Sequence, residues 1–244
     1  MKTPEERSFA EELAAFRAAH PKITEAEVFM VDLNARIRGK LVPIDALEKI
    51  AAGKMKMPAS TAGLDFFSED VVGGGLAVEI GDPDGVIEPV AGTLMPALWT
   101  DPVSAQVQVT IRTPDGDAAD YDPRNVLAAV AERAQKAGLT PVMALELEFF
   151  LIDPAKPLPA RMPNGHRLSD GQVYDMDVTR AMAPLTTKIA EAATALGAPP
   201  EATVTEYGGG QFEINLHHSA DPLAAADQAM ALRRAVRGVA RAEG

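Results

Sequence analysis

Four glutamates carry the chemistry legible in this chain. Glu146 and Glu148 lie in MALELEFFLID (143–153), and Glu206 and Glu213 bracket the glycine run of EYGGGQFEINLHH (206–218). Side chains at i and i+2 of a strand share a face, so Glu146 and Glu148 would stand about 7 Å apart. Their neighbours are apolar: Ala144 and Phe150 on the glutamates' face, Leu145, Leu147 and Phe149 on the other. That pattern predicts a strand buried inside a sheet. Carboxylates there would need compensating cations or donors. A solvated edge strand that happens to read Glu-x-Glu is the alternative.

The second segment adds a matching pair. From Gln211 to His217 the chain alternates, with Gln211, Glu213, Asn215 and His217 on one face and Phe212, Ile214 and Leu216 on the other. This is the period of a half-buried strand. Residues 202–206 read as the strand before it, and Gly208, Gly209 and Gly210 permit a tight reversal between the two. Glu206 and Glu213 would then be close across a hairpin. Clustered carboxylates suit hard divalent cations such as Mg²⁺ or Mn²⁺. With no cysteine in the chain, a zinc or iron–sulfur centre has little to use.

The elements that must position these residues belong to a chain of 244 residues, 47% hydrophobic and 24% charged, enough for an ordinary core in one or two domains. The net charge of −12 and the lack of any basic run argue against a nucleic-acid partner. Zero cysteines fit a reducing compartment. The N-terminus reads MKTPEERSFAEELAAF, which is no signal peptide. No apolar run is long enough for a membrane span. A cytoplasmic protein is expected.

Residues 4–20 predict an amphipathic helix with Pro4 in its first turn, and 27–32 a strand. A turn at 34–39 feeds a second strand through 40–42, and 44–52 reads as a helix. Short β stretches are expected at 76–80 and 86–90, and a clean strand at 106–112. The turn-rich acidic stretch 113–120 is the expected boundary. After it come a helix at 123–137, the Glu146/Glu148 strand, a proline-rich loop at 154–173, a helix at 175–197, the hairpin of 202–218 and a last helix at 222–242. The fold class is α+β, with an N-terminal helix (1–20), a first domain (21–115) and a second (120–244).

Three stretches resemble the glutamine synthetase superfamily: Tyr121-Asp-Pro-Arg-Asn-Val-Leu127, Glu146-Leu-Glu-Phe-Phe-Leu-Ile-Asp153 and Glu206-Tyr-Gly-Gly-Gly-Gln-Phe-Glu213. VDLNARIRGK and MPASTAGLD resemble the γ-glutamylpolyamine ligase branch more than the ammonia users. The resemblance implies that 21–115 is a β-grasp domain and 120–244 the first part of an α/β catalytic domain. It further implies that Glu148, Glu206 and Glu213 hold one divalent ion, that Glu146 is a ligand of a second, and that Glu201 contacts the nucleotide. Asp65 is a candidate for the acidic residue that ammonia users lend to a neighbouring active site. The implied reaction joins glutamate to ammonia, an amine or a polyamine through γ-glutamyl phosphate, with ATP as co-substrate and Mg²⁺ or Mn²⁺ as cofactor. Homo-oligomers with active sites between subunits follow from the same resemblance, with residues 57–75 near the junction.

The turn departs from the family's usual Gly-Pro-Gly-Gln, with Gly209 where proline is common, so a looser hairpin is expected. Gln211 would either orient a ligand or bond the backbone. His217 and His218, being adjacent, face opposite sides. Asp32, Arg36 and Arg38 suit a loop or subunit contact, and Trp99 suits packing. His20, His166, His217 and His218 form no nuclease or phosphatase metal set. A truncated relative that keeps the metal ligands but serves in assembly is the second functional reading. The resemblance reaches only the first half to two-thirds of a family member, so the expectation is of a fragment that does not turn over alone, with its catalytic residues unassigned.

Overall fold

The computed structural model describes residues 8–77 and 79–244. The chain divides into two compact units. One holds the chain up to Pro96 together with Pro102–Leu139, and the other holds Ala97–Asp101 with Thr140–Gly244. The division falls at 139/140, beyond the turn at 113–120.

In the first unit, helix α1 (Phe9–Ala19) starts at Ser8, whose hydroxyl accepts the Glu11 N–H while the Glu11 carboxylate accepts the Ser8 N–H. This reciprocal cap fixes the start of the helix; the expected first turn at Pro4 lies outside the described residues. Leu13 and Phe16 are its buried positions. Strands β1 (Glu25–Val31) and β2 (Ile37–Pro43) pair antiparallel around the turn at 32–36. The helix expected at 44–52 is a 3-10 turn (Ile44–Leu47) followed by the short α2 (Glu48–Ala51).

Strand β3 (Lys56–Pro58), the single-turn α3 (Ser60–Gly63), β4 (Asp84–Pro89), β5 (Met95–Ala97) and β6 (Ser104–Arg112) follow. The sheet runs β2-β1-β6-β4-β3, with β5 also on β6. Strand β6 is parallel to β1 along 105–108 and antiparallel to β4 along 109–112. The central β6 is buried on both faces, Gln106, Gln108 and Thr110 included, so its alternation marks a covered polar face rather than a solvated one. The core is built from Val28, Met30, Leu47, Ile87, Val107 and Ile111.

The strand expected at 76–80 does not form among the described residues. The N–H groups of Ile80 and Asp82 both donate to the Ala77 carbonyl, closing a turn there. Val78 lies outside the described residues. Helix α4 (Pro123–Lys136) is capped by Asp122, which accepts the Arg124 N–H and, with its other oxygen, the Ile111 N–H, both at 2.9 Å. Burial pushes the Asp122 carboxyl above its ordinary value, against these backbone N–H groups, which pull it down.

The second unit is a three-stranded antiparallel sheet with two helices. Strand β7 (Glu146–Phe150), helix α5 (Met176–Ala195), strands β8 (Pro200–Thr205) and β9 (Gln211–Leu216) and helix α6 (Pro222–Glu243) follow in chain order, and the sheet order is β7-β9-β8. Phe212 of β9 packs with Met182 of α5, Leu151 and Leu168, with Ala240 of α6 at the margin. The helices therefore cover one face of this sheet. None of the described helices is long and apolar enough to cross a membrane.

Trp99, the sole tryptophan, packs against Gly238 of α6, and the Arg234 guanidinium lies 5.7 Å from its ring centre. A Cβ at position 238 would overlap the indole. Gly238→Ala is expected to displace Trp99, shift its fluorescence to the red and destabilise this unit by roughly 1–3 kcal/mol, the usual cost of overpacking. An unchanged emission maximum would show that the indole is not held there.

Candidate functional site

The register of β9 decides which side chains meet. Glu148 lies directly opposite Glu213, Glu146 opposite Asn215, and Phe150 opposite Gln211. On the other flank Val204 opposes Glu213, and the Glu206 N–H donates to the Gln211 carbonyl at 3.0 Å. Residues opposed on paired strands point to the same face, so the four glutamates, Gln211 and Asn215 share one face of the sheet. Directly opposed Cβ atoms lie about 5 Å apart and diagonal ones about 7–8 Å. Glu148 and Glu213 are the direct pair, and Glu146 and Glu206 are each diagonal to Glu213.

Strand β7 is not the buried central strand that its apolar flanks suggest. It is the edge of its sheet, with Glu146, Glu148 and Phe150 exposed and Leu147 and Phe149 half-buried. The inward alternation is real, since Phe149 stacks on Phe212 at 6.2 Å, but the helices cover only that side. The burial cost argued from sequence therefore does not arise for Glu146 and Glu148. Glu206 and Glu213 are half-buried.

None of the four glutamates forms an ion pair among the described residues. Two accept an amide hydrogen instead: Gln211 Nε2 donates to Glu148 Oε2, and Asn215 Nδ2 to Glu213 Oε1, each at 2.7 Å. A divalent ion fits this donor set in kind, because four carboxylates with no facing cation offer hard oxygens and surplus negative charge. Among the described residues no three Asp, Glu or His side chains already stand close enough to hold one ion. Glutamate rotamers would have to turn inward to close around it.

The glycine turn that separates Glu206 from Glu213 is braced rather than loose. Gly208 N–H donates to Gln211 Oε1 at 2.9 Å, Gly209 N–H to Asp170 Oδ1 at 2.9 Å, and Gly210 N–H to Gln172 Oε1 at 3.2 Å. The buried Gln172 also donates Nε2 to the Gln211 carbonyl at 2.8 Å and accepts the Thr205 hydroxyl at its own carbonyl, at 2.7 Å. A proline at 209 has no N–H for Asp170. The expected cost of glycine there is thus offset by a bond that the family's usual residue could not make. Sequence reading missed Asp170, Gln172 and Thr205, since nothing in a proline-rich loop marks one glutamine as a buried brace.

Glu201 stands elsewhere on the sheet. It sits at the irregularity between Pro200 and Ala202, with its carboxylate 3.7 Å from His217 Nδ1 and both side chains more than half exposed. Five residue steps along the strand separate it from Glu206, about 16 Å. His218 is exposed.

In the first unit, the candidate Asp65 uses Oδ1 to accept the N–H groups of Phe67 and Glu69, at 2.8 and 2.9 Å, and so shapes its own loop. Asp32 is buried and accepts the Asn34 and Arg36 N–H groups and Arg38 Nε, the last at 2.7 Å. Arg36 lies 4.6 Å from the Phe66 ring centre. These three residues hold loops, in line with the sequence reading.

The family described as glutamine synthetase, catalytic domain, matches residues 120–244. The chain is 35% identical over 236 residues to the gamma-glutamylputrescine synthetase PuuA of Escherichia coli (strain K12), covering 94% of this chain and 50% of that protein. It is 30% identical over 168 residues to a glutamate–isopropylamine ligase of Pseudomonas sp, covering 67% of this chain and 36% of that protein. Among solved structures, the GmaS/ADP complex superposes with a TM-score of 0.77 at 24% identity, over 95% of this chain and 50% of that one. The chain spans about half the length of the curated relatives it matches. With its catalytic-domain match and its glutamine synthetase-type mixed α/β fold, this chain belongs to the glutamine synthetase family.

Proposed function

We propose that this chain contributes the metal face of an ATP-dependent γ-glutamyl amide ligase whose acceptor is an alkylamine or polyamine. The observation that carries the reading is the shared face of Glu146, Glu148, Glu206 and Glu213 in a chain of this family. The names of two relatives, a putrescine ligase and an isopropylamine ligase, favour an amine over ammonia. In the proposed reaction the γ-carboxylate of glutamate takes the terminal phosphoryl group of ATP. The amine nitrogen then attacks the acyl carbon and phosphate leaves.

Glu148, Glu206 and Glu213 would hold one divalent ion and Glu146 part of a second. Such ions supply charge neutralisation between the phosphates and the attacking carboxylate. The braced glycine turn keeps Glu206 and Glu213 on one face, and the β7–β9 register brings Glu148 against them. Glu201, at the far end of β8, is proposed to meet the nucleotide. We assign 21–115 to a β-grasp domain and 120–244 to the catalytic domain, in a cytoplasmic homo-oligomer. The exposed Phe66, Phe67 and Val72 support a subunit junction near 57–75.

The test is an assay for γ-glutamyl amide and ADP from glutamate, ATP, Mg²⁺ and a panel of ammonia, monoamines and diamines. The protein's mass is measured alongside by light scattering. The expected outcome is amine-dependent product from an oligomer. ATP consumption independent of glutamate and amine, or an active monomer, would overturn the reading.

A further inference from the structure

The two carboxylates that oppose each other across β7 and β9 are each held by one amide of β9. Along that strand every second residue reads amide, carboxylate, amide: Gln211, Glu213, Asn215. Gln211 reaches Glu148 and Asn215 reaches Glu213, both at 2.7 Å. Like charges placed directly opposite on a sheet repel, and one N–H on each carboxylate offsets part of that repulsion. Gln211 cannot turn over freely, because its Oε1 accepts the Gly208 N–H at 2.9 Å. Its oxygen faces the turn and its NH₂ faces Glu148.

We infer that Gln211 and Asn215 are positioning residues that tie up one oxygen on each of Glu148 and Glu213, and so select small six-coordinate divalent ions over calcium. The inference rests on the metal-site reading above. Calcium takes six to eight oxygens at flexible geometry and often binds a carboxylate through both oxygens, whereas Mg²⁺ requires near-octahedral geometry and few carboxylates. A carboxylate with one oxygen engaged by an N–H offers a single free oxygen to an ion, which matches the smaller ion. Partners that orient a ligating group commonly change affinity by about 10–100-fold when removed.

Calorimetric titration of the full chain with Mn²⁺ and, separately, with Ca²⁺ tests this in the wild type, Asn215→Leu and Gln211→Met. Asn215 has no side-chain bond in the turn, so Asn215→Leu removes the amide from Glu213 without touching the brace. The expected result is a fall of about tenfold in Mn²⁺ affinity in each variant, with Ca²⁺ affinity kept or raised. Equal losses for both ions would mark a loosened sheet and overturn the inference, as would unchanged Mn²⁺ affinity in Asn215→Leu. A wild-type chain that binds neither ion would overturn the metal-site reading and this inference with it. Wild-type binding with unchanged variants removes the inference alone.

Discussion

Glu213→Gln is expected to weaken Mn²⁺ binding about a hundredfold while leaving the ion-free chain slightly more stable. Glu213 is the centre of the carboxylate face, directly opposite Glu148 and diagonal to Glu146 and Glu206. An ion held among them loses its most shared ligand when that charge goes. Removing an outer partner already costs about 10–100-fold, so losing a direct ligand should reach at least the upper end, about 2.7 kcal/mol. Without an ion the sign reverses. The direct Glu148–Glu213 opposition is a like-charge pair, worth roughly 0.2–1 kcal/mol of destabilisation. A glutamine keeps an oxygen for Asn215 and gains a donor for Glu148. Calorimetry gives the affinity, and urea unfolding followed by Trp99 gives the stability. A variant that loses both affinity and ion-free stability would mean that Glu213 is a structural residue, and unchanged affinity would mean that it is not a ligand.

The glutamate face was legible in the sequence because it rests on period-two alternation and a glycine turn, both local signals. Gln211 to His217 alternates without interruption, and the observed β9 follows it. The sequence could not tell whether β7 was central or at an edge. Leu147 and Phe149 are apolar for their helix-packed side in either case, and Phe150, 59% exposed, lies beside the glutamates without a covering layer. The number of strands in a sheet is a long-range property that a five-residue segment does not contain. The 76–80 stretch failed for the opposite reason. Leu76, Ala77 and Ile80 have strand-like side chains, yet the surrounding glycines let the backbone close a turn on Ala77. Gln172 was invisible because its role depends on Gly210 and Gln211, nearly forty residues away.

Gly210→Ala is expected to destabilise the second unit by roughly 2–4 kcal/mol, more than a glycine-to-alanine change at a comparable backbone angle elsewhere. Gly210 has φ +80°, a region where an L side chain costs about 1–2 kcal/mol. It also has no room. A Cβ there would lie 2.6 Å from the Leu151 carbonyl oxygen and 3.3 Å from Pro159 Cβ. Relief by local movement is hindered, because the Gly210 carbonyl accepts the Leu151 N–H at 2.8 Å and its own N–H is held by Gln172. Gly197 supplies the control, with φ +74° and nothing within 4 Å of its Cβ position. Gly197→Ala therefore carries the backbone term alone, about 1–2 kcal/mol. Urea unfolding monitored at Trp99, which belongs to the same unit, separates the two. Since the turn spaces Glu206 from Glu213, Mn²⁺ affinity should fall in Gly210→Ala and hold in Gly197→Ala. Equal destabilisation by the two substitutions would show that the close approach to Leu151 contributes nothing, and that the turn tolerates a side chain where the brace now forbids one.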